Sequence, residues 1–253
     1  MLFYFSGTGN SKWICTELGK ALDEPCADIA KRQDVLEKTY EAKPGERVGL
    51  IFPVYAWGPP EIVMDFVKTL VVREDNYVFA VVSCGQEAGN TMGILQKYVR
   101  LDSGFSVQMP NNYVSYSKVF DEEKVRTIIE KAQKEILVIT KVVRDRRKNT
   151  FDVKEGKLGK VKTALLYGPF NRYGRATKKF SVEETCIGCG LCAERCPGGV
   201  IEMKEGKPSW KEDCLQCYKC MNYCPKEAIQ YGKKSKENGR YNFEKDVKPW
   251  LSD

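Results

Sequence analysis

Eight cysteines fall between Cys186 and Cys224 at fixed intervals. Cys186, Cys189, Cys192 and Cys196 are followed by Pro197; Cys214, Cys217, Cys220 and Cys224, each 28 positions later, are followed by Pro225. Val200-Ile201 recurs as Ala228-Ile229, so the stretch reads as a duplicated half-module. A secreted disulfide scaffold would scatter its cysteines through a small domain. Paired four-cysteine zinc sites would use well-separated CxxC pairs. Three packed cysteines followed by Cys-Pro, twice over, fit neither pattern. The chain has no histidine, which removes mixed Cys/His zinc sites and most hydrolase chemistries.

Both halves read C-x2-C-x2-C-x3-C-P, a run that resembles the two-[4Fe–4S] ferredoxins of bacteria. Three thiolates within seven residues can wrap one face of a cubane. The resemblance implies that each cluster borrows its fourth ligand across the repeat. One set is then Cys186, Cys189, Cys192 and Cys224; the other is Cys214, Cys217, Cys220 and Cys196. Shared ligands imply clusters near enough to exchange electrons.

The first 145 residues alternate apolar strands with helical patterns, which predicts βαβ units on a parallel sheet. Expected strands are Leu2–Phe5, Cys26–Ile29, Val48–Phe52, Tyr77–Ser83 and Phe105–Met109. Helices are expected from the FSGTGNS turn, with Ile14, Leu18, Ala21 and Leu22 on one face, from Pro59-Pro60, with Val63, Phe66, Val67 and Leu70, over Met92–Leu101 and from about Asp121 to Val143. Five strands with intervening helices suit an open, doubly wound α/β sheet.

The turn after the first strand reads FSGTGNS, where helix N-terminal N–H groups favour an anion. It lacks the Gly-Lys-Ser/Thr ending of a P-loop and fails the dinucleotide fingerprint. It resembles the phosphate loop of flavodoxins, carried by Ser6, Gly7, Thr8, Gly9, Asn10 and Ser11. The resemblance implies a flavodoxin-like five-stranded sheet holding the 5′-phosphate of FMN there. It also implies that the flavin ring lies between two further loops at the ends of strands three and four. The first is Pro53, Val54, Tyr55, Ala56, Trp57 and Gly58; the second is Ser83, Cys84, Gly85, Gln86 and Glu87. Tyr55 or Trp57 would stack on the ring, and Gly58 would let backbone approach its edge. The second loop lacks the tyrosine that commonly covers the outer ring face, so that face is expected to be open to an electron partner. Cys15, Cys26 and Cys84 read as packing residues, Cys84 within reach of the ring.

The formal charge is +7, and Arg144 to Lys179 holds twelve Lys or Arg against three acids. Two clusters and a phosphomonoester would offset about six of those charges, so the excess reads as compensation for cofactors and not as a nucleic-acid footprint. The basic stretch is also suited to steering an acidic partner. No apolar run approaches the ~20 residues of a membrane helix, and Leu2–Phe5 is too short for a signal-peptide core. A cytoplasmic protein without membrane contact is expected. The organisation expected is a flavodoxin-like domain over 1–145, a basic linker over 146–179, a small α+β ferredoxin domain over 180–232 and a loose polar tail over 233–253.

The whole arrangement resembles the flavodoxin–ferredoxin fusion proteins of anaerobic bacteria and archaea. It implies electron transfer between FMN and two [4Fe–4S] clusters, with a redox protein or a small molecule as partner. The alternative is an FMN-dependent reductase of a small acceptor, with its proton from Glu87, Tyr55, Cys84 or water. A regulatory module binding RNA or DNA is the third class.

Overall fold

The computed structural model describes residues 1–31 and 39–251. They divide into two compact units, neither of them continuous in sequence. The first comprises Met1–Ser6, Asn10–Met109 and Thr127–Phe170; the second comprises Gly7–Gly9, Pro110–Arg126 and Asn171–Asp253.

In the first unit the strands are β1 (Leu2–Tyr4), β2 (Cys26–Asp28), β3 (Tyr40–Glu41), β4 (Arg47–Pro53), β5 (Leu70–Val71), β6 (Tyr77–Cys84), β7 (Ser103–Gln108) and β8 (Thr150–Asp152). β3 and β5 pair by themselves; the other six form one parallel sheet in the order β2-β1-β4-β6-β7-β8. All five expected strands are present to within a residue or two. β6 is buried along its whole length, as a central parallel strand covered on both faces must be. Its run Tyr-Val-Phe-Ala-Val-Val therefore shows no polar alternation. The sixth strand, β8, lies inside the stretch expected to be a linker, where Phe151 pairs with Gly104 of β7.

The helices are α1 (Asn10–Leu22), α2 (Glu61–Lys68), α3 (Thr91–Leu95), α4 (Glu122–Arg144) and α5 (Gly159–Lys162). α1 buries Ile14, Cys15, Leu18 and Leu22, and α4 buries Ile129, Ala132, Ile136, Ile139 and Val143, each a single stripe at helical spacing. α3 is shorter than the span expected, and single turns carry the chain on to Val99. No described helix is long and apolar enough to cross a membrane.

In the second unit β9 (Phe180–Val182) pairs antiparallel with β12 (Ile229–Tyr231), and β10 (Ile201–Lys204) with β11 (Lys207–Trp210). Short helices α6 (Leu191–Glu194) and α7 (Lys219–Asn222) follow the third-last cysteine of each half-repeat. The repeat is visible in the backbone. Gly188, Gly190 and Gly199 have positive φ, and so do their counterparts 28 residues on, Gln216, Tyr218 and Glu227. The second half thus holds side chains where the first needs glycine, an arrangement each non-glycine residue pays for with about 1–2 kcal/mol of strain.

Segments distant in sequence complete this unit. Val114 joins Tyr218, Met221 and Ile229 in one buried cluster, and Ser115 Oγ donates to Tyr218 Oη at 2.9 Å. The terminal segment is not loose. Tyr241, Phe243 and Val247 are buried, and Asn242 caps helix α8 (Phe243–Asp246) by accepting from Lys245 N–H at 2.9 Å. Asn238 Nδ2 donates to the Val114 carbonyl at 2.7 Å, and the Arg126 guanidinium lies over the Trp250 ring.

Candidate cofactor sites

In the first unit the sheet order reverses beside β1, which lies between β2 and β4. A crevice is expected outside the carboxyl ends of the strands at such a point. The expected ring loops stand there, at the ends of β4 and β6. Ser11, at the start of α1, and Ser83, at the end of β6, are both buried and share a hydrogen bond at 2.8 Å between their hydroxyls. Val54 N–H donates to the Ser83 carbonyl at 2.9 Å, which fastens the first ring loop to the second. Tyr55 and Gly58 exchange both backbone hydrogen bonds, at 2.9 and 3.0 Å. The two residues between them, Ala56 and Trp57, have φ of 46° and 63°. That is the tight turn that glycine or asparagine usually fills. Two non-glycine residues held left-handed mark a loop whose shape is imposed by its surroundings.

The surroundings come from the stretch expected to be a linker. Ala88 and Gly89 N–H donate to the carbonyls of Lys154 and Glu155, and Thr163 Oγ1 donates to the Trp57 carbonyl at 2.8 Å. The Tyr167 ring lies where a Cβ on Gly58 would be, 2.4 Å from it, and Tyr167 Oη donates to the Pro59 carbonyl at 2.7 Å. Phe170 meets the Tyr55 ring edge-on, as Phe5 does. The Trp57 indole N–H donates to Glu87 Oε1 at 2.6 Å, and Lys162 Nζ donates to the same carboxylate.

Lys162, and then Trp57, hold the Glu87 carboxyl below its ordinary range. A depressed carboxylate contributes stability that is present above its unfolded pKa, about 4.3, and lost as the pH falls through the lower folded value. Glu87→Gln should therefore lower stability at pH 7 by about 1 kcal/mol, discounted for the partly exposed lysine. Melting curves recorded from pH 7 to 3 should show the gap from the unsubstituted protein closing below pH 4; a gap that widens there contradicts the assignment. Burial pushes the Cys84 thiol up to about 12, so it stays protonated near neutrality.

The middle of the FSGTGNS turn, Gly7–Gly9, belongs to the second unit. Thr8 is buried; its Oγ1 accepts from Asn112 Nδ2 at 2.6 Å, and its carbonyl accepts from Phe243 N–H at 2.9 Å. A hydroxyl that accepts there still has its own proton to donate, as a phosphate oxygen requires. Gly9 has φ +106°, and a Cβ on it would lie 2.6 Å from Phe243 Cβ. A Cβ on Gly7 would lie 2.7 Å from the Cys217 carbonyl oxygen. These are the close approaches that only glycine permits.

The eight cysteines line two cavities. Cys186, Cys189, Cys192 and Cys224 line one; Cys196, Cys214, Cys217 and Cys220 line the other. The thiols feel one another in the same groups. Burial raises Cys220 well above its ordinary value, and Cys217, Cys214 and Cys196 add to the effect. Burial also pushes Cys217 up to about 12, with Cys214 and Cys196 contributing. In the first cavity burial raises Cys192, aided by Cys189 and Cys224. No described group of three or more Cys, Asp or Glu side chains converges tightly enough for a single metal ion. The Trp210 indole N–H, at the second cavity, is buried without a hydrogen-bond partner, near enough to Cys220 to pull its thiol down. A sulfur-rich centre would meet that orphaned donor. The residues present fit an iron–sulfur cluster.

Residues 1–135 match the family model of a flavodoxin domain. The chain belongs to the flavodoxin family. Downstream of its flavodoxin domain, residues 185–229 match a 4Fe-4S dicluster domain. A flavodoxin domain and a 4Fe-4S domain on one chain make it a flavin and iron–sulfur electron-transfer protein. Among solved structures, the chain is similar to a putative flavoprotein from Bacteroides uniformis ATCC 8492, at 15% identity over 52% of this chain and 97% of that one, with a TM-score of 0.34. It is also similar to an FMN-dependent NADH-azoreductase from Bacillus anthracis str. Ames Ancestor, solved with FMN, at 8% identity over 56% and 98% of the two chains, with a TM-score of 0.36. Both similarities are too remote to transfer a property. No curated protein matches the chain significantly.

Within the flavodoxin domain, the structure thus brings Ser11, Val54, Tyr55, Trp57, Gly58, Ser83 and Glu87 together at the strand ends. Pro53 and Cys84 end their strands, and Gln108 Nε2 holds the Gly85 carbonyl at 2.9 Å. Sequence reasoning missed Tyr167, Lys162 and Thr163 as walls of this site. The signal was present: Ala164-Leu165-Leu166-Tyr167 is an apolar knot in an otherwise basic stretch.

Proposed function

We propose that the chain carries electrons between FMN and two [4Fe–4S] clusters in the cytoplasm of an anaerobe, exchanging them with a redox protein or a small-molecule acceptor. The observation that carries this reading is the composition of the two cysteine cavities, each lined by three cysteines of one half-repeat and the last of the other. That exchange is what a duplicated ferredoxin run requires, and three cysteines in seven residues followed by Cys-Pro is unlike the separated CxxC pairs of structural zinc. When bound, FMN supplies a two-electron capacity and each cluster a one-electron one.

The chain's own residues hold and tune these groups. Cys186, Cys189, Cys192 and Cys224 would hold one cluster, and Cys214, Cys217, Cys220 and Cys196 the other. Ser6 to Ser11 would hold the phosphate through backbone N–H groups and hydroxyls at the start of α1. The loops 53–58 and 83–87 would hold the ring. Of the proton sources available to a reductase, Glu87 is held ionised by Lys162 and Trp57, and Cys84 lies near 12. Neither pKa is matched to acid catalysis near neutrality, which supports a carrier over a reductase. Much of the basic stretch is engaged in structure. Arg144, Arg146 and Arg175 donate to the carbonyls of Ala21, Gly45 and Cys214, and Lys162 to Glu87. That supports a reading without nucleic acid.

Purification without oxygen, with iron, sulfide and flavin measured on the same sample, tests the proposal. About eight iron, about eight sulfide and about one FMN per chain are expected. A colourless protein, or one that holds zinc in place of iron, overturns it.

A further inference from the structure

Two cysteines outside both sites lie against each other. Cys15, on the buried face of α1, and Cys26, the exposed first residue of β2, bring their Sγ atoms to 3.1 Å. Cys15 S–H donates to Cys26 Sγ, and Cys26 Sγ also lies 3.1 Å from the Cys15 carbonyl oxygen. The space is built for this meeting. α1 carries Gly19 beside the pair, and a Cβ there would lie 2.7 Å from Cys26 Sγ. A covalent bond of about 2.05 Å needs a closure of only about 1 Å, within reach of side-chain torsion.

We propose that Cys15 and Cys26 form a reversible dithiol–disulfide site that takes low-molecular-weight disulfides as its oxidant. Cys26, reachable from solvent, attacks one sulfur of the small disulfide and releases one thiol. Cys15 then gives up its proton and attacks Cys26 Sγ in the mixed disulfide, and the second small thiolate leaves and takes up that proton as a thiol. Two protein thiols are oxidised and one small disulfide is reduced to two thiols. The hydrogen bond from Cys15 lowers the pKa of Cys26, and the same bond, then burial, raises that of Cys15. That ordering suits Cys26 as the first nucleophile.

The test uses the full chain, cofactor-loaded and kept from oxygen, equilibrated with glutathione disulfide and glutathione at rising ratios. Thiols are then alkylated under denaturing conditions and the protein is cut with trypsin. Peptides Trp13–Lys20 and Ala21–Lys31 should appear joined, at their summed mass less two hydrogens. Alkylation of Cys15 and Cys26 should fall about tenfold while Cys84 stays reactive, and dithiothreitol should reverse the change. Cys15→Ser should leave a lasting glutathione adduct on Cys26. In the unsubstituted chain, a persistent adduct on Cys26, or unchanged alkylation of both cysteines, overturns the proposal, and neither result depends on how the variant folds.

Discussion

Replacing Cys196 and Cys220 together with alanine should remove no more iron than replacing either one, about four of about eight atoms per chain. Replacing Cys189 and Cys220 together should remove nearly all of it. The expectation follows from the cavities. Cys196 sits in the first half-repeat by sequence yet lines the cavity of Cys214, Cys217 and Cys220, while Cys224 joins Cys186, Cys189 and Cys192. Two losses in one cavity cost one centre, whereas two losses in different cavities cost both. Iron and sulfide analysis of the anaerobically isolated variants, with low-temperature EPR after reduction, reads the difference directly. If Cys196→Ala with Cys189→Ala behaves as a single lesion, the ligands follow the sequence halves and the exchange is wrong.

The cysteine repeat and the sheet were legible for the same reason, since each is written in a local period; the exchange of the fourth cysteines between the halves is what the resemblance to two-cluster ferredoxins implies. Three cysteines in seven residues and an eight-residue apolar run such as β6 leave few alternatives. What escaped the sequence depends on contacts between distant segments. β8 is three residues long, too short for a pattern, and exists because β7 offers an open edge. Tyr241, Phe243 and Val247 are scattered among lysines and polar residues, one pair two apart and the other four apart, too few to fix a period, so their burial cannot be inferred from the tail alone. Ala56 and Trp57 carry no sign of a left-handed turn, because Thr163 and Tyr167, more than a hundred residues later, impose it. The Cys15–Cys26 contact is likewise invisible along the chain, since it needs the parallel register that sets Cys26 beside Leu2.

Gly9→Ala should destabilise the protein by about 2–6 kcal/mol, the sum of about 1–3 for a side chain forced to φ +106° and about 1–3 for a Cβ placed 2.6 Å from Phe243 Cβ. For a chain of this size that lowers the melting temperature by on the order of 10 °C. Flavin should be lost at the same time, because Gly9 lies in the turn proposed to hold its phosphate. The two contributions separate in a double-mutant cycle. Phe243→Gly removes the Cβ that meets Gly9 together with the ring and alone should cost about 4–6 kcal/mol, but it keeps the backbone N–H that donates to Thr8. In that background the clash is relieved, so Gly9→Ala should cost less by about 1–3 kcal/mol, and only the backbone strain should remain. Urea unfolding followed by circular dichroism gives all four corners. Costs that add to within about 0.5 kcal/mol would mean that Phe243 does not press on the loop, and that the terminal helix α8 does not help shape the Gly7–Gly9 turn.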